Sequence, residues 1–228
     1  MERHLDQQLE TIRQDLLRMG GLVEGMILEA NRALVERDET VVDAVLDQDR
    51  EVDRLEMAID DRCLQALVRN QPRAIDLRFL VAVMKIVNDL ERMGDSAVNI
   101  VQSVHQLNQE PPLKPYIDLP DLSRLVRDMV RRSLDAFVRR DVAMAEAVCR
   151  EDDEVDGRYK QLFRELLTYM MEDPRTVSRC LHLLLIARNL ERIADHATNI
   201  AEDVIYYLEG RDVRHSLARA ETPGEPPA

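Results

Sequence analysis

The chain has 228 residues, 45% of them hydrophobic and 33% charged, with 31 Lys and Arg against 44 Asp and Glu for a formal net charge of −13. This is the composition of a folded protein, and its acidity opposes broad contact with nucleic acid or an anionic lipid surface, both of which require basic surface. Seven Gly, nine Pro, no Trp and 4% aromatic residues argue against a sandwich or barrel of aromatic-rich strands and tight turns, so an all-α fold is expected.

Residues 5–30 place Leu5, Leu9, Ile12, Leu16, Met19, Val23, Met26 and Ala30 at alternating steps of four and three, the stripe of a long packed helix. Gly20 and Gly21 weaken that helix without ending it. The same period continues over 39–70 and 74–106, with breaks at Arg37-Asp38 and Asn70-Gln71-Pro72. Residues 108–120, NQEPPLKPYIDLP, carry four prolines and little periodicity and read as an ordered linker. Three more helices are expected at about 121–140, 142–172 and 175–208. Residues 209–228 end in ETPGEPPA, too poor in apolar side chains to pack, and read as a disordered tail.

The second set of helices repeats the first. ALVERD at 33–38 matches AFVRRD at 136–141, and DREVD at 49–53 matches DDEVD at 152–156, both offset by 103. DLERMGDSAVNI at 89–100 matches NLERIADHATNI at 189–200, identical at seven of twelve positions and offset by 100. Two copies of one unit, 1–107 and 121–208, are therefore expected as antiparallel three-helix bundles, because the connections are short.

No apolar run approaches the ~18 residues that cross a bilayer, and the amino terminus, MERHLDQQLE, lacks the apolar core of a secretion signal. A cytoplasmic protein without membrane insertion is expected. Cys63, Cys149 and Cys180 are odd in number and show no C-x-x-C spacing, which points to buried small hydrophobes and away from disulfides or thiolate zinc sites.

The candidate chemistry lies in carboxylate pairs. Glu91 and Asp95 are i and i+4 and share one helix face. Asp49 and Asp53 do the same on the preceding helix, as do Asp152 with Asp156 and Glu191 with Asp195 in the second copy. On a helical wheel these pairs fall on the apolar stripes, so they are expected to face the bundle interiors. Like charges gathered there are costly unless a cation answers them, and hard oxygen ligands at i, i+4 on facing helices suit a divalent or trivalent ion, or a multinuclear cluster. Magnesium, manganese, iron and zinc all accept such donors. His196 adds a nitrogen in the second copy alone, and Asn99 and Asn199 continue the stripe by one turn. Against this stands the solvated ion pair, common on long helices, with Arg50, Arg54, Arg92 and Arg192 nearby. Turned by about 100° from the motif glutamates, Arg92 and Arg192 are expected to face a neighbouring helix or partner.

These motifs carry a family resemblance. The paired E-R-[IM]-[AG]-D-x-A-x-N-I segments at 91–100 and 191–200, the D-x-x-x-D pairs before them and LLRMGGLVE at 16–24 resemble the PhoU family of phosphate-uptake regulators over about 1–208. The resemblance implies two similar three-helix bundles, homodimerisation, and a negative regulator of the phosphate-starvation response that contacts the phosphate ABC transporter and a sensor histidine kinase, with no catalytic residues. It also implies multinuclear metal clusters, iron or zinc before manganese or magnesium, on Asp49, Asp53, Glu91 and Asp95 and on Asp152, Asp156, Glu191 and Asp195. Gly94 and Ser96 stand where the second copy has Ala194 and His196, so the two sites are expected to differ.

The competing reading is a ferritin-like carboxylate-bridged metal enzyme or storage bundle. Such sites use Glu-x-x-His pairs within one four-helix bundle, and the chain has no Glu-x-x-His and divides its helices three and three. A phosphatase lacks a nucleophile motif or a glycine loop here. A DNA-binding repressor needs a basic recognition helix, whereas the Arg-dense stretch from Arg124 to Arg140 is interspersed with Asp128 and Asp135 and reads as a mixed-charge outer face.

Overall fold

The computed structural model describes residues 2–38, 40–70 and 72–213. They form six long helices: α1 (Glu2–Glu36), α2 (Val41–Asn70), α3 (Ala74–Asn108), α4 (Asp118–Arg139), α5 (Val142–Glu172) and α6 (Val177–Glu209), with one 3-10 turn at Pro174–Thr176 before α6. There is no strand among the described residues. Helices α1, α2 and α3 pack mutually as one antiparallel bundle and α4, α5 and α6 as the second, while α3 packs against α6 and α1 against α4. Of the expected tail, residues 214–228 lie outside the described residues; Val213 is buried and Arg211 pairs with Glu146 and Glu209.

The repeat extends to the turn chemistry. Arg37 and Arg140 end α1 and α4 in the left-handed region, at φ 56° and 54°, a conformation that L-residues with a Cβ adopt at a cost. The aspartate that follows each one caps the next turn. Asp38 Oδ1 accepts from the Thr40 N–H at 2.9 Å, and Asp141 Oδ1 accepts from the Met144 N–H at 3.0 Å. These side chains satisfy donors that a helix start leaves unpaired.

One continuous apolar core runs through both bundles. Phe79 of α3, Phe137 of α4 and Tyr207 of α6 form an aromatic cluster with ring centroids 5.6 to 5.8 Å apart, so the two halves share their largest side chains. Gly20 explains how α1 approaches α4: a Cβ there would sit 2.3 Å from Leu134 Cδ1. The helix-weakening glycine is the seat for a leucine of the other half.

The connection between α3 and α4 is tied to both halves. Arg37 Nη2 donates to the Glu110 carbonyl at 2.8 Å, Lys114 Nζ donates to Asp118 and Glu165, and Arg179 Nη1 donates to the Pro111 carbonyl. Helix α4 begins at Asp118, three residues before the sequence places it, because Pro120 fits the first turn of a helix where its missing N–H costs nothing.

Candidate functional site

Each bundle gathers its motif carboxylates along the seam between its last two helices. In the first, Asp49 and Asp53 of α2 face Glu91 and Asp95 of α3, and Glu56 and Asp60 extend the same stripe. Burial, with Asp53 and Asp95 beside it, raises the Asp49 carboxyl to about 6. Burial and neighbouring carboxylates also raise Glu91 and Glu56, and burial raises Asp60. Gly94 makes room for this stripe, since a Cβ on it would lie 3.3 Å from Asp49 Oδ1.

The second seam repeats the arrangement. Burial raises Asp152 to about 6, assisted by Asp195, Asp156 and Asp153. Glu191 and Asp195 are also raised, first by burial, with Arg188 opposing the shift in both. Glu191 is 8% exposed and its Oε2 is buried with no hydrogen-bond partner. Its Oε1 accepts from Arg188 Nη1, and Asp156 Oδ2 accepts from Lys160 Nζ at 2.8 Å.

All four pairs are thus brought together within their own bundles, but they do not face the sealed interior as the wheel suggested. Asp53, Asp95 and Asp195 are exposed, and Asp49, Glu91, Asp152 and Asp156 are half-buried. The physical reason is that Val52, Leu55, Met93, Ala97, Val155 and Ile193 occupy the centre of each stripe. The carboxylates take its edge, where water reaches most of them. Arg92, exposed on α3, reaches toward the neighbouring helix α2, where it lowers Glu56, and it also lowers Glu91 beside it. Arg188 plays that part at the second seam.

The donor chemistry of both seams fits a hard cation. Clustered carboxylates held above their ordinary range, together with unpartnered buried oxygens on Asp60 and Glu191, are relieved by positive charge. Among the described residues no three His, Cys, Asp or Glu side chains converge at metal-binding geometry. A cation would draw in Asp53, Asp95 and Asp195, whose exposed side chains are free to move, and would compete with Arg188 and Lys160 for Glu191 and Asp156.

His196 points elsewhere. Its Nδ1 meets Asp89 Oδ1 at 2.8 Å, across the contact between α3 and α6, and Asn199 Nδ2 donates to the same oxygen at 3.3 Å. Lys85 Nζ donates to Asp203 Oδ1 at 2.7 Å beside them. This polar patch joins the two bundles and was not read from the sequence. Its one signal is that the second copy replaces Asp89 by Asn189 and the first replaces His196 by Ser96, so both partners break the repeat.

No helix among the described residues is long and apolar enough to cross a membrane. Each seam draws its carboxylates from two helices of one bundle, and the chain has no Glu-x-x-His pair of the ferritin type.

Comparison with known proteins agrees along nearly the whole chain. The PhoU domain matches twice, over residues 16–104 and 119–204. A PhoU homologue described as a phosphate-specific transport system accessory protein, from Pseudomonas putida, is 44% identical over 220 residues, covering 94% of this chain and 86% of the relative. The accessory protein PhoU of Escherichia coli is 38% identical over 208 residues, covering 91% and 86%. These relatives are described as accessory proteins, not as enzymes. The crystal structure of PhoU from Pseudomonas aeruginosa superposes with a TM-score of 0.88 at 42% identity, covering 90% of this chain and 99% of that one. A phosphate transport system regulatory protein PhoU from Streptococcus pneumoniae gives 0.85 at 29% identity, covering 92% and 99%. With both repeats matched, close superposition on PhoU crystal structures and relatives 38% and 44% identical, the chain belongs to the PhoU family.

Proposed function

We propose that this chain is a cytoplasmic regulatory accessory protein of a phosphate transport system, restraining phosphate uptake and the starvation response when phosphate is plentiful. It acts without catalysis, as an adaptor between the phosphate ABC transporter and a sensor histidine kinase, and it works as a homodimer. The observation that carries the reading is the match in both repeats, over 94% and 92% of the chain, to proteins described as phosphate transport accessory or regulatory proteins.

The two carboxylate seams hold cations in this reading, Asp49, Asp53, Glu91 and Asp95 in one and Asp152, Asp156, Glu191 and Asp195 in the other. A bound ion supplies fixed positive charge and an open coordination position for an anionic group. The protein's own part is to hold eight carboxylates on rigid helices at two accessible seams. Support comes from the raised Asp49 and Asp152 carboxyls and the buried, unpartnered oxygen of Glu191.

The test has two arms. In a host whose own copy is deleted, this chain should return a phosphate-starvation reporter to repression at high phosphate and be captured with the transporter and the kinase. Failure of both would overturn the adaptor reading. Elemental analysis of untagged protein beside the quadruple variant Asp49→Asn, Asp53→Asn, Glu91→Gln, Asp95→Asn should show iron, zinc or manganese that falls by about half in the variant. Metal-free protein, still metal-free after incubation with those ions, would leave the carboxylates as an acidic surface.

A further inference from the structure

The helix read as a mixed-charge outer face forms the wall of a cleft. Between α1, α4 and α5 lies a hollow of about 520 Å³ lined by Arg124, Arg127 and Arg131 of α4 and Arg158 of α5. None of the eight seam carboxylates reaches it. Its size is that of a small-ligand site.

Charge in the cleft is unevenly spent. Three carboxylates share the lining, Glu24, Asp121 and Asp128. Asp121 is paired with Arg124, Asp128 with Arg131 and Arg132, and Arg158 with Glu154 of its own helix. Arg127 is half-buried and makes no hydrogen bond or ion pair among the described residues; it acts on Glu24 only through space. Glu24 is its repeat counterpart, 103 residues earlier, and burial raises that carboxyl despite Arg127 and Arg131. Among the lining residues four guanidiniums stand against three carboxylates, and the pairs that engage Arg124, Arg131 and Arg158 are i, i+3 or i, i+4 contacts on their own helices, the solvent-exposed kind worth under about 1 kcal/mol, for which an anion competes. On a chain of net charge −13 the lining carries one more guanidinium than carboxylate, and Arg127 is the one that makes no ion pair among the described residues.

We infer that the cleft between α1, α4 and α5 binds a short linear oligophosphate through Arg124, Arg127, Arg131 and Arg158. Guanidinium forks match phosphate oxygens in bidentate pairs. From Arg124 to Arg131 is seven residues of helix, about 10 Å of rise at 1.5 Å each, which suits several linked phosphates better than a single one. Leu125 is the one apolar residue lining the cleft and no aromatic does, so there is no seat for a nucleobase. A neighbouring hollow shares Asp121 and Arg158 but adds Asp118 and Glu165, and its acidity closes that end to an anion.

The same arginines would also meet phosphate on a lipid headgroup, and the experiment separates the two sources. The full chain is titrated with tripolyphosphate, with orthophosphate and with phosphatidylglycerol vesicles, by calorimetry and sedimentation at one fixed ionic strength. Tripolyphosphate should bind once per chain, at least tenfold more tightly than orthophosphate. Arg127→Gln should weaken it by about tenfold or more, as expected for loss of a charge-assisted pair, and Glu24→Gln should tighten it. Arg124→Gln and Arg131→Gln, at exposed positions, carry the same test if Arg127→Gln does not fold, while Arg54→Gln on α2 should change nothing. The inference fails if tripolyphosphate does not bind, if only vesicles bind, or if Arg54→Gln weakens binding as much as Arg127→Gln. It also fails if Asp152→Asn with Glu191→Gln abolishes binding while Arg127→Gln does not, which would place the anion on a cation at the second seam.

Discussion

Gly94 and Asp49 are matched across the first seam: a Cβ on the glycine would stand 3.3 Å from the Asp49 Oδ1. The second copy has Ala194 at the equivalent position, with Asp152 in the role of Asp49. One seam therefore has space that the other has given to a methyl group. Gly94→Ala should gain helix propensity worth up to about 1 kcal/mol, offset by the tight contact, so the thermal midpoint should change little. Cation affinity of the first seam should fall, because the carboxylate is pushed aside by a few tenths of an ångström. Metal titration followed by calorimetry tests this, and unchanged affinity would show that Asp49 does not need the space.

Asp89 is the shared acceptor of a polar contact between the bundles. At 8% exposed it accepts from His196 at 2.8 Å and from Asn199 at 3.3 Å. Asp89→Ala strands both donors and should cost about 1–3 kcal/mol in urea unfolding. Asp89→Asn, the residue that the second copy carries as Asn189, keeps one acceptor and should cost less than half as much. Equal losses in the two variants would mean that packing and not the hydrogen bonds sets the cost.

How much of this was visible in the sequence follows from what a one-dimensional pattern contains. The six helices were legible because Leu16, Met19, Val23 and Met26 keep one period for many turns, and the carboxylate pairs because i, i+4 spacing fixes a shared face. The depth of that face was not legible. Asp95 and Met93 both lie near the stripe, yet one is exposed and the other sealed, and a wheel does not separate the edge of a stripe from its centre. Asp89 and His196 are 107 residues apart, so their contact depends on how α3 docks on α6. The arginine cleft was hidden for a related reason: Arg124 with Asp121 and Arg131 with Asp128 are i, i+3 pairs, the signature of a solvated face, and only the approach of Glu24 and Arg158 makes that face concave.

The carboxylate seams set a pH dependence with a definite sign. Asp49 and Asp152 are raised from the ordinary aspartate range to about 6, first by burial. The folded chain then holds more protons than the unfolded chain between about pH 4 and pH 6, so stability is full below that window and declines as pH rises through it. Glu91, Glu191 and Asp195 shift in the same direction. Chelator-treated protein should melt higher at pH 5 than at pH 7, by roughly 2–4 °C, and Asp49→Asn with Asp152→Asn should flatten the difference. Added zinc or manganese at pH 7 should restore the lost stability. A flat profile in the parent protein would show that the carboxylates are fully hydrated.

The two left-handed arginines differ in what they hold. Arg37 at φ 56° donates to the Glu110 carbonyl and so ties α1 to the segment after α3, whereas Arg140 at φ 54° is exposed and makes no side-chain hydrogen bond or ion pair among the described residues. Glycine adopts this conformation without a Cβ penalty, but it also gains freedom in the unfolded chain. Arg140→Gly should therefore be stabilising by about 0.5–1 kcal/mol, the strain relieved exceeding the entropy lost. Arg37→Gly relieves the same strain but removes the donor to a backbone carbonyl, and it should destabilise by about 1 kcal/mol. Thermal unfolding of both variants beside the parent decides it: the two substitutions should move the midpoint in opposite directions, and a shift of the same sign and size in both would mean that the Arg37 tie contributes nothing.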